Sequence, residues 1–268
     1  MQLDKLPANI TRSRTITSLF LQRDVLLDFY FSSTDINLQQ ASLLLVNDGQ
    51  DLGTMKFEEI LDALSGEITP LICVGIYCGE DRRNEYGTAS MLDYKGRGTK
   101  AALYQRFIFE ELLPFIRKEL GIKSFNDKSF CGFSLGGLSA LDTVWNHADE
   151  FIKVGVFSGS FWWRSVSQDA PEFNEEDHRI MHNEIKNGEY YPWLKFYFET
   201  GTLDELADRN NNGIIDSIDD TLSLIGELVK KGYDAKNDIC YQELKDGHHD
   251  IDTWARVFPD FLRWGWGK

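Results

Sequence analysis

Positive charge is scarce in this 268-residue chain: 28 Lys and Arg stand against 43 Asp and Glu, a formal net charge of −15. Such an excess repels phosphate backbones and argues against a nucleic-acid partner. Long apolar runs are missing too, so nothing in the sequence is fit to span a bilayer. The first residues, Met1-Gln2-Leu3-Asp4-Lys5-Leu6-Pro7, lack the apolar core of a signal peptide. Cysteine is sparse. Cys73, Cys78, Cys131 and Cys240 mostly lie in strand-like apolar runs and read as buried free thiols, not as a disulfide framework or a metal cluster. These absences predict a soluble cytoplasmic protein, or a secreted one if a signal peptide has been removed. Repeats, low-complexity tracts and linkers are also absent, and the length suits a single α/β domain over 1–268.

What is present alternates between strand-type and helix-type runs. Residues 15–21 and 25–31 bracket a polar turn at Gln22-Arg23-Asp24 and predict an antiparallel hairpin. Residues 42–46 and 70–77 are apolar throughout, as expected of strands covered on both faces. A long charged loop follows from residue 79 to about 99. Helical spacing then runs from about 100 to 120, where Pro114 should bend the helix or mark its last turns. Further strands are expected at 154–157, 194–200 and 238–244, with helices at 221–231 and after 250. Residues 165–192 are polar and read as a surface excursion or cap. Alternation of this kind predicts a mainly parallel sheet with helices on both faces.

The stretch Cys131-Gly132-Phe133-Ser134-Leu135-Gly136-Gly137 joins a strand to a helix through G-x-S-x-G. In that context the serine sits on a sharp turn with its hydroxyl exposed above the sheet, and the following helix points its free N–H groups at the site. A serine hydroxyl needs a base, and the base needs an acid to orient it. On a sheet of this kind the chain order is Ser, then Asp or Glu, then His. Of the five histidines, His147 precedes any candidate acid, and His178 and His182 follow no strand-and-acid pair. Gly247-His248-His249-Asp250 stands directly after the last predicted strand, where the base belongs. Asp204 follows the preceding strand and is the best-placed acid, with Glu205 as the adjacent alternative.

Several stretches together resemble the putative-esterase family of α/β hydrolases, which holds feruloyl and acetylxylan esterases, siderophore esterases, S-formylglutathione hydrolase and the antigen 85 mycolyltransferases. They are Asn47-Asp48-Gly49-Gln50 after an apolar strand, Glu110-Glu111-Leu112-Leu113-Pro114-Phe115-Ile116, the serine turn, Gly201-Thr202-Leu203-Asp204, and His249-Asp250 with Trp254 beyond. The resemblance implies an α/β-hydrolase fold with Ser134 as nucleophile, His249 as base and Asp204 as its orienter. It also implies an oxyanion hole from the backbone N–H groups of Leu135 and Gln50. Family members usually carry Gly where this chain has His248, which makes His248 a candidate substrate contact. Phe133 and Trp162 are further candidates, since aromatic rings can stack on a sugar or an aromatic acyl group.

Between acid and base lies Asp208-Arg209-Asn210-Asn211-Asn212-Gly213-Ile214-Ile215-Asp216-Ser217-Ile218-Asp219. Oxygen side chains fall at loop positions 1, 3, 5, 9 and 12, with Gly at 6 and Ile at 8. That spacing resembles dockerin and EF-hand loops and predicts a structural calcium site built from Asp208, Asn210, Asn212, the Ile214 carbonyl and Asp219. No organic cofactor is expected. The expected activity is hydrolysis of a small or carbohydrate-linked carboxylic ester through an acyl-enzyme. Acyl transfer by the same residues and a non-catalytic, calcium-dependent binding module are the competing readings.

Overall fold

A computed structural model of the chain describes residues 12–33 and 35–268; the stretch Met1 to Pro7 discussed above lies outside them. Eight strands form one sheet in the order β1-β2-β4-β3-β5-β6-β7-β8. They are β1 (Arg12–Ser18), β2 (Arg23–Phe31), β3 (Ser42–Asn47), β4 (Leu71–Ile76), β5 (Lys128–Phe133), β6 (Lys153–Phe157), β7 (Lys195–Leu203) and β8 (Ile239–His248). β2 runs antiparallel to both β1 and β4, and every other pairing is parallel. The helices are α1 (Phe57–Ala63), α2 (Arg82–Glu85), α3 (Ala101–Arg106), α4 (Leu113–Leu120), α5 (Leu135–Asn146), α6 (Glu175–His178), α7 (Ile180–Asn187), α8 (Asp216–Lys231) and α9 (Ile251–Trp266). This is the mainly parallel sheet covered by helices that the alternating pattern predicts, and the α/β-hydrolase fold that the resemblance implies. Among the described residues no helix is long and apolar enough to cross a membrane.

The sheet separates two apolar layers. On one face Tyr104, Phe107, Leu138, Leu141, Met181 and Leu224 pack onto the strands. On the other, Phe57 and Leu61 of α1 meet Trp254, Phe258 and Phe261 of α9. β3 and β4, in the middle of the sheet, are buried at every residue, which is why they read as unbroken apolar runs instead of alternating ones. The four cysteines are free thiols, with Cys73 and Cys131 fully buried.

Three local expectations shift. The hairpin turn falls at residues 19–22, two to three residues early, because Arg23 and Asp24 already pair with Ser18 and Thr17. Gln22 takes the left-handed conformation there, with φ 55°. The helix expected from about 100 to 120 is α3, a π-helical segment Phe107–Leu112, and α4 with Pro114 in its first turn. The Leu113 N–H bonds back to the Ile108 carbonyl, five residues away. That wide turn accommodates a proline that has no N–H to give and would crowd a regular α-helix. The region 165–192 is a surface excursion only in part: nothing from 165 to 178 is buried, but α7 packs inward. Ile180, Met181, His182 and Ile185 of α7 are buried, and His182 Nε2 lies 3.0 Å from the Asp220 carbonyl oxygen and 2.9 Å from Ser223 Oγ on α8. A few apolar residues scattered among charges escaped a reading weighted by composition.

Backbone is packed closely on backbone where β5 turns into α5. A Cβ on Gly132 would stand 2.4 Å from the Gly136 carbonyl oxygen and 2.5 Å from its carbon, both rigid backbone. Gly132→Ala should therefore cost about 1–3 kcal/mol of stability, seen as a lower denaturant midpoint, and a wild-type midpoint would show that the turn tolerates a side chain.

Candidate active site

Ser134 caps α5 with φ 54° and ψ −121°, a strained conformation for a residue with a Cβ. The surrounding backbone holds it there. Its N–H donates to the Phe157 carbonyl at 2.8 Å, and its carbonyl accepts from Gly137, Leu138 and Ser160 at 3.1, 3.2 and 3.2 Å. The side chain makes no capping bond to the helix, so the hydroxyl stays available above the sheet. Ser160 Oγ lies 3.3 Å from Ser134 Oγ.

The loop after β3 comes to the same place. Asn47 Nδ2 donates to the Gly136 carbonyl at 2.8 Å, and Asn47 Oδ1 accepts from the Tyr104 hydroxyl at 2.5 Å. Asp48, buried and in the left-handed region, receives two bonds of 2.7 Å from Arg82. Gln50 lies in the short 3-10 turn Gly49–Asp51 that follows, and Leu135 is the first residue of α5. Both N–H groups therefore stand in a first helical turn, where no carbonyl of the same helix can accept them.

At the far side, β7 and β8 touch backbone to backbone. A Cβ on Gly201 would lie 2.4 Å from the Gly247 carbonyl, and Leu203 pairs with His248 across a register shift. This contact brings Asp204 and His249 together at the ends of neighbouring strands. Asp204 Oδ2 accepts the Gly201 N–H at 3.2 Å, while its Oδ1 is buried without a hydrogen-bond partner. The His249 ring meets Trp254 edge-on at 5.3 Å and keeps an open side to solvent. Desolvation by the packed side, helped by Arg82, holds its pKa below the ordinary imidazole value against the opposing pull of Asp204 and Asp250. Asp204 is raised, chiefly by burial, with the Gly201 N–H, Ser158 and His249 working against the shift.

Ser134 follows β5, Asp204 follows β7 and His249 follows β8, all at the carboxyl edge of the parallel sheet; within 3.5 Å no hydrogen bond joins His249 to Ser134 or to Asp204 among the described residues. Catalytic hydrogen bonds of this kind commonly tighten only when substrate is bound. Asp250 is a helix cap, accepting the Thr253 N–H at 2.9 Å, and His248 donates its own N–H to Thr253 Oγ1 at 2.9 Å. That cap fixes where His249 points. The His248 side chain is exposed.

Phe133 is not a wall of the cleft. It is 1% exposed and stacks on Trp254 at 5.0 Å, inside the layer that α9 covers. Its side chain leaves the turn on the opposite side from Ser134, as alternation along β5 requires. Trp162 is half-buried, tilted against Trp163 and facing the Arg97 guanidinium at 5.0 Å.

The calcium-type loop folds compactly. The Asn212 and Gly213 N–H groups donate to the Asp208 carboxylate at 3.1 and 2.9 Å, and the Asn210 and Asn212 amides lie 3.2 and 3.4 Å from the Asp219 carboxylate. α8 begins at Asp216, loop position 9. The Arg209 guanidinium pairs with Glu175, Asp216 and Asp220 and also reaches the Asp219 carboxylate at 3.4 Å. These bonds turn the Asn210 and Asn212 amide nitrogens toward Asp219 and leave their oxygens accepting the Asn212 and Ile214 N–H groups, and no group of three or more His, Cys, Asp or Glu side chains suited to a metal occurs among the described residues.

Sequence reasoning missed Glu199, a carboxylate that follows the aromatic run Phe196-Tyr197-Phe198 in β7. It is 1% exposed, and neither oxygen has a hydrogen-bond partner. Ser158 lies beside both Glu199 and Asp204, and its Oγ accepts the Trp254 indole N–H at 3.0 Å. Burial first, and then the charge of Asp204, push Glu199 up to about 8. A carboxyl raised on folding binds protons in the folded state that the unfolded chain has already released. Its contribution to stability is complete below the unfolded value of 4.5 and is lost as pH climbs through about 8. Glu199→Gln should therefore gain stability relative to wild type as pH rises from 5 to about 8. Melting temperatures measured across that range test it, and a constant gap would refute it.

The putative-esterase family model matches residues 24–264. The uncharacterized protein YbbA of Bacillus subtilis (strain 168) is 23% identical over 229 residues, covering 83% of this chain and 84% of its own. Among solved structures, the enterobactin esterase of Shigella flexneri is similar with a TM-score of 0.71 at 20% identity, over 97% of this chain; the match spans 59% of that longer protein. The siderophore hydrolase EstB of Aspergillus nidulans gives 0.70 at 19% identity, covering 97% of this chain and 96% of its own. A ferulic acid esterase gives 0.67 at 16%, covering 95% and 96%. At such identities the structural likeness bears on the fold, whereas the family match extends over most of the sequence. By that match, and in keeping with the serine turn described above, the chain belongs to the putative-esterase family.

Proposed function

We propose that the protein hydrolyses a small-molecule carboxylic ester through an acyl-enzyme on Ser134. The observation that carries this reading is the strained, backbone-held Ser134 at the start of α5, with its hydroxyl free of capping duty. His249 takes the proton from Ser134 Oγ as that oxygen attacks the ester carbonyl, then gives it to the departing alcohol. Asp204 orients the imidazole and stabilises the imidazolium that forms. The Leu135 and Gln50 N–H groups receive the oxyanion, each such donor being worth about 3 kcal/mol in the transition state. Water then attacks the acyl-enzyme by the same proton route in reverse. The named activities of the structural neighbours make siderophore esters and ferulate esters the first substrates to try.

Two results should follow. A fluorophosphonate should label Ser134 in the wild type and leave Ser134→Ala unlabelled, while His249→Ala and Asp204→Asn lower kcat by about 10³-fold or more. Absence of label at Ser134 would remove the hydrolase reading. The kcat/KM profile should lose activity on the acid side with a midpoint below 6.5, because only the neutral imidazole accepts the proton and its pKa is held down by burial and Arg82. A midpoint above 6.5 would mean that Asp204 dominates instead.

We also propose that the 208–219 loop binds calcium as a structural ion. Asp208, Asn210, Asn212, the Ile214 carbonyl and Asp219 would hold it and so stiffen the chain just beyond Asp204. Millimolar calcium should raise the melting temperature of the wild type and leave that of Asp208→Ala unchanged. An equal response to calcium in both proteins would place the effect elsewhere.

A further inference from the structure

Beside the serine turn, a groove of about 810 Å³ is lined by Arg82, Arg83, Lys95 and Arg97, with Glu80, Asp81 and Asn84. Four cations along one groove run against the character of a chain with net charge −15. The acids nearest to them are largely neutralised or turned away. Asp81 is paired with Lys100 at 2.8 Å. Asp48 and Asp93 lie behind Arg82 and Arg97 with side chains 2% and 0% exposed, whereas the two guanidinium side chains keep 30% and 23% of their surface open. Arg83 and Lys95 are exposed and have no carboxylate partner among the described residues. Glu80 is the one lining acid without a cationic partner, so the open face of the groove carries a positive excess.

The groove reaches the nucleophile from two directions. Arg82 Nη2 lies 3.5 Å from the carbonyl of Phe133, the residue before Ser134, and is close enough to His249 to depress its pKa. Arg97 faces the Trp162 ring at 5.0 Å and the Trp163 ring at 5.3 Å, and Trp162 stands two residues beyond Ser160, whose hydroxyl lies 3.3 Å from that of Ser134. A ligand group held in the groove is therefore tethered to the same backbone that positions the reacting hydroxyl.

We infer that this groove is an anion subsite, and that the ester turned over at Ser134 carries a carboxylate or phosphate which Arg83, Lys95, Arg82 and Arg97 receive. This rests on the esterase reading and narrows its substrate class. Arg82 and Arg97 are already fixed by their buried carboxylates and stand as a preorganised wall. Arg83 and Lys95 are free to close on the incoming charge. Trp162 offers a flat surface to an unsaturated linker between the anion and the ester.

The test compares matched esters at low ionic strength in an amine buffer. One pair is p-nitrophenyl hemisuccinate against p-nitrophenyl butyrate, with the anion on the acyl side. On the alcohol side, the acetyl esters of 4-hydroxybenzoate and of 4-hydroxyphenyl phosphate are set against that of 4-hydroxybenzamide, which separates carboxylate from phosphate. At least one anionic ester should be preferred by about tenfold in kcat/KM, mostly through KM, as expected of two exposed charge contacts. The Arg83→Gln/Lys95→Gln double variant should bring the anionic-to-neutral ratio down towards one, and added salt should do the same to the wild type. A neutral ester preferred over all its anionic partners, or a ratio unmoved in the double variant, overturns the proposal. If no ester is turned over and Ser134 takes no label, the esterase reading fails by itself. The groove is then judged on Ser134→Ala protein titrated calorimetrically with succinate and inorganic phosphate: binding that the double variant loses supports an anion site, and absence of binding overturns it.

Discussion

Backbone pressed on backbone at the carboxyl ends of the strands is the constraint on which the rest of this structure depends. Gly132 against Gly136 lets β5 turn into α5 within a single residue, and Gly201 against Gly247 lets β7 and β8 close on each other. Side chains at these points would push the strands apart by more than a hydrogen bond can follow. With them absent, Asp204 and His249 come near each other, and Ser134 stands at the same carboxyl edge of the sheet although 115 residues separate it from His249 (249 − 134). The strain at Ser134 is local, and the dense packing of Phe133, Phe157, Trp254 and Phe258 underneath over-determines it. That is how a residue with a Cβ is kept at φ 54°.

Electrostatics then divide the labour among the acids. Asp48 is committed to Arg82, Asp250 to the first turn of α9, and Asp204 is left with one buried oxygen unpartnered and His249 nearby. Burial and the charge of Asp204 push the Glu199 carboxyl up to about 8, which favours its neutral form beside Asp204. A burial that would otherwise set two carboxylates against each other becomes tolerable where one of them is neutral.

Much of this was legible in the sequence, and the part that was not has physical reasons. The serine turn, the histidine after the last strand and the acid after the strand before it could be read because strand ends are marked by glycine, and the order of the elements leaves few candidates. β3 and β4 were visible because strands buried on both faces need unbroken apolar runs. Depth was harder to see. Phe133 resembles a cleft residue until alternation along β5 sends it beneath the sheet, and His182 resembles a surface residue until α8 covers it. The π-helical segment before Pro114 depends on how one proline shares a helix with its neighbours, which no periodicity count records. Glu199 carried the plainest unread signal, a charged residue in the middle of Phe196-Tyr197-Phe198 and Thr200.

The strand order has a kinetic side. The groups that surround the site come from the ends of β3, β5, β6, β7 and β8, and parallel neighbours such as these can pair only after long crossover segments have been laid down. Contacts so distant along the chain form late and slowly. The approach of β8 to β7 carries His249 to the carboxyl edge of the sheet, so assembly of the candidate site depends on pairing between strands far apart along the chain.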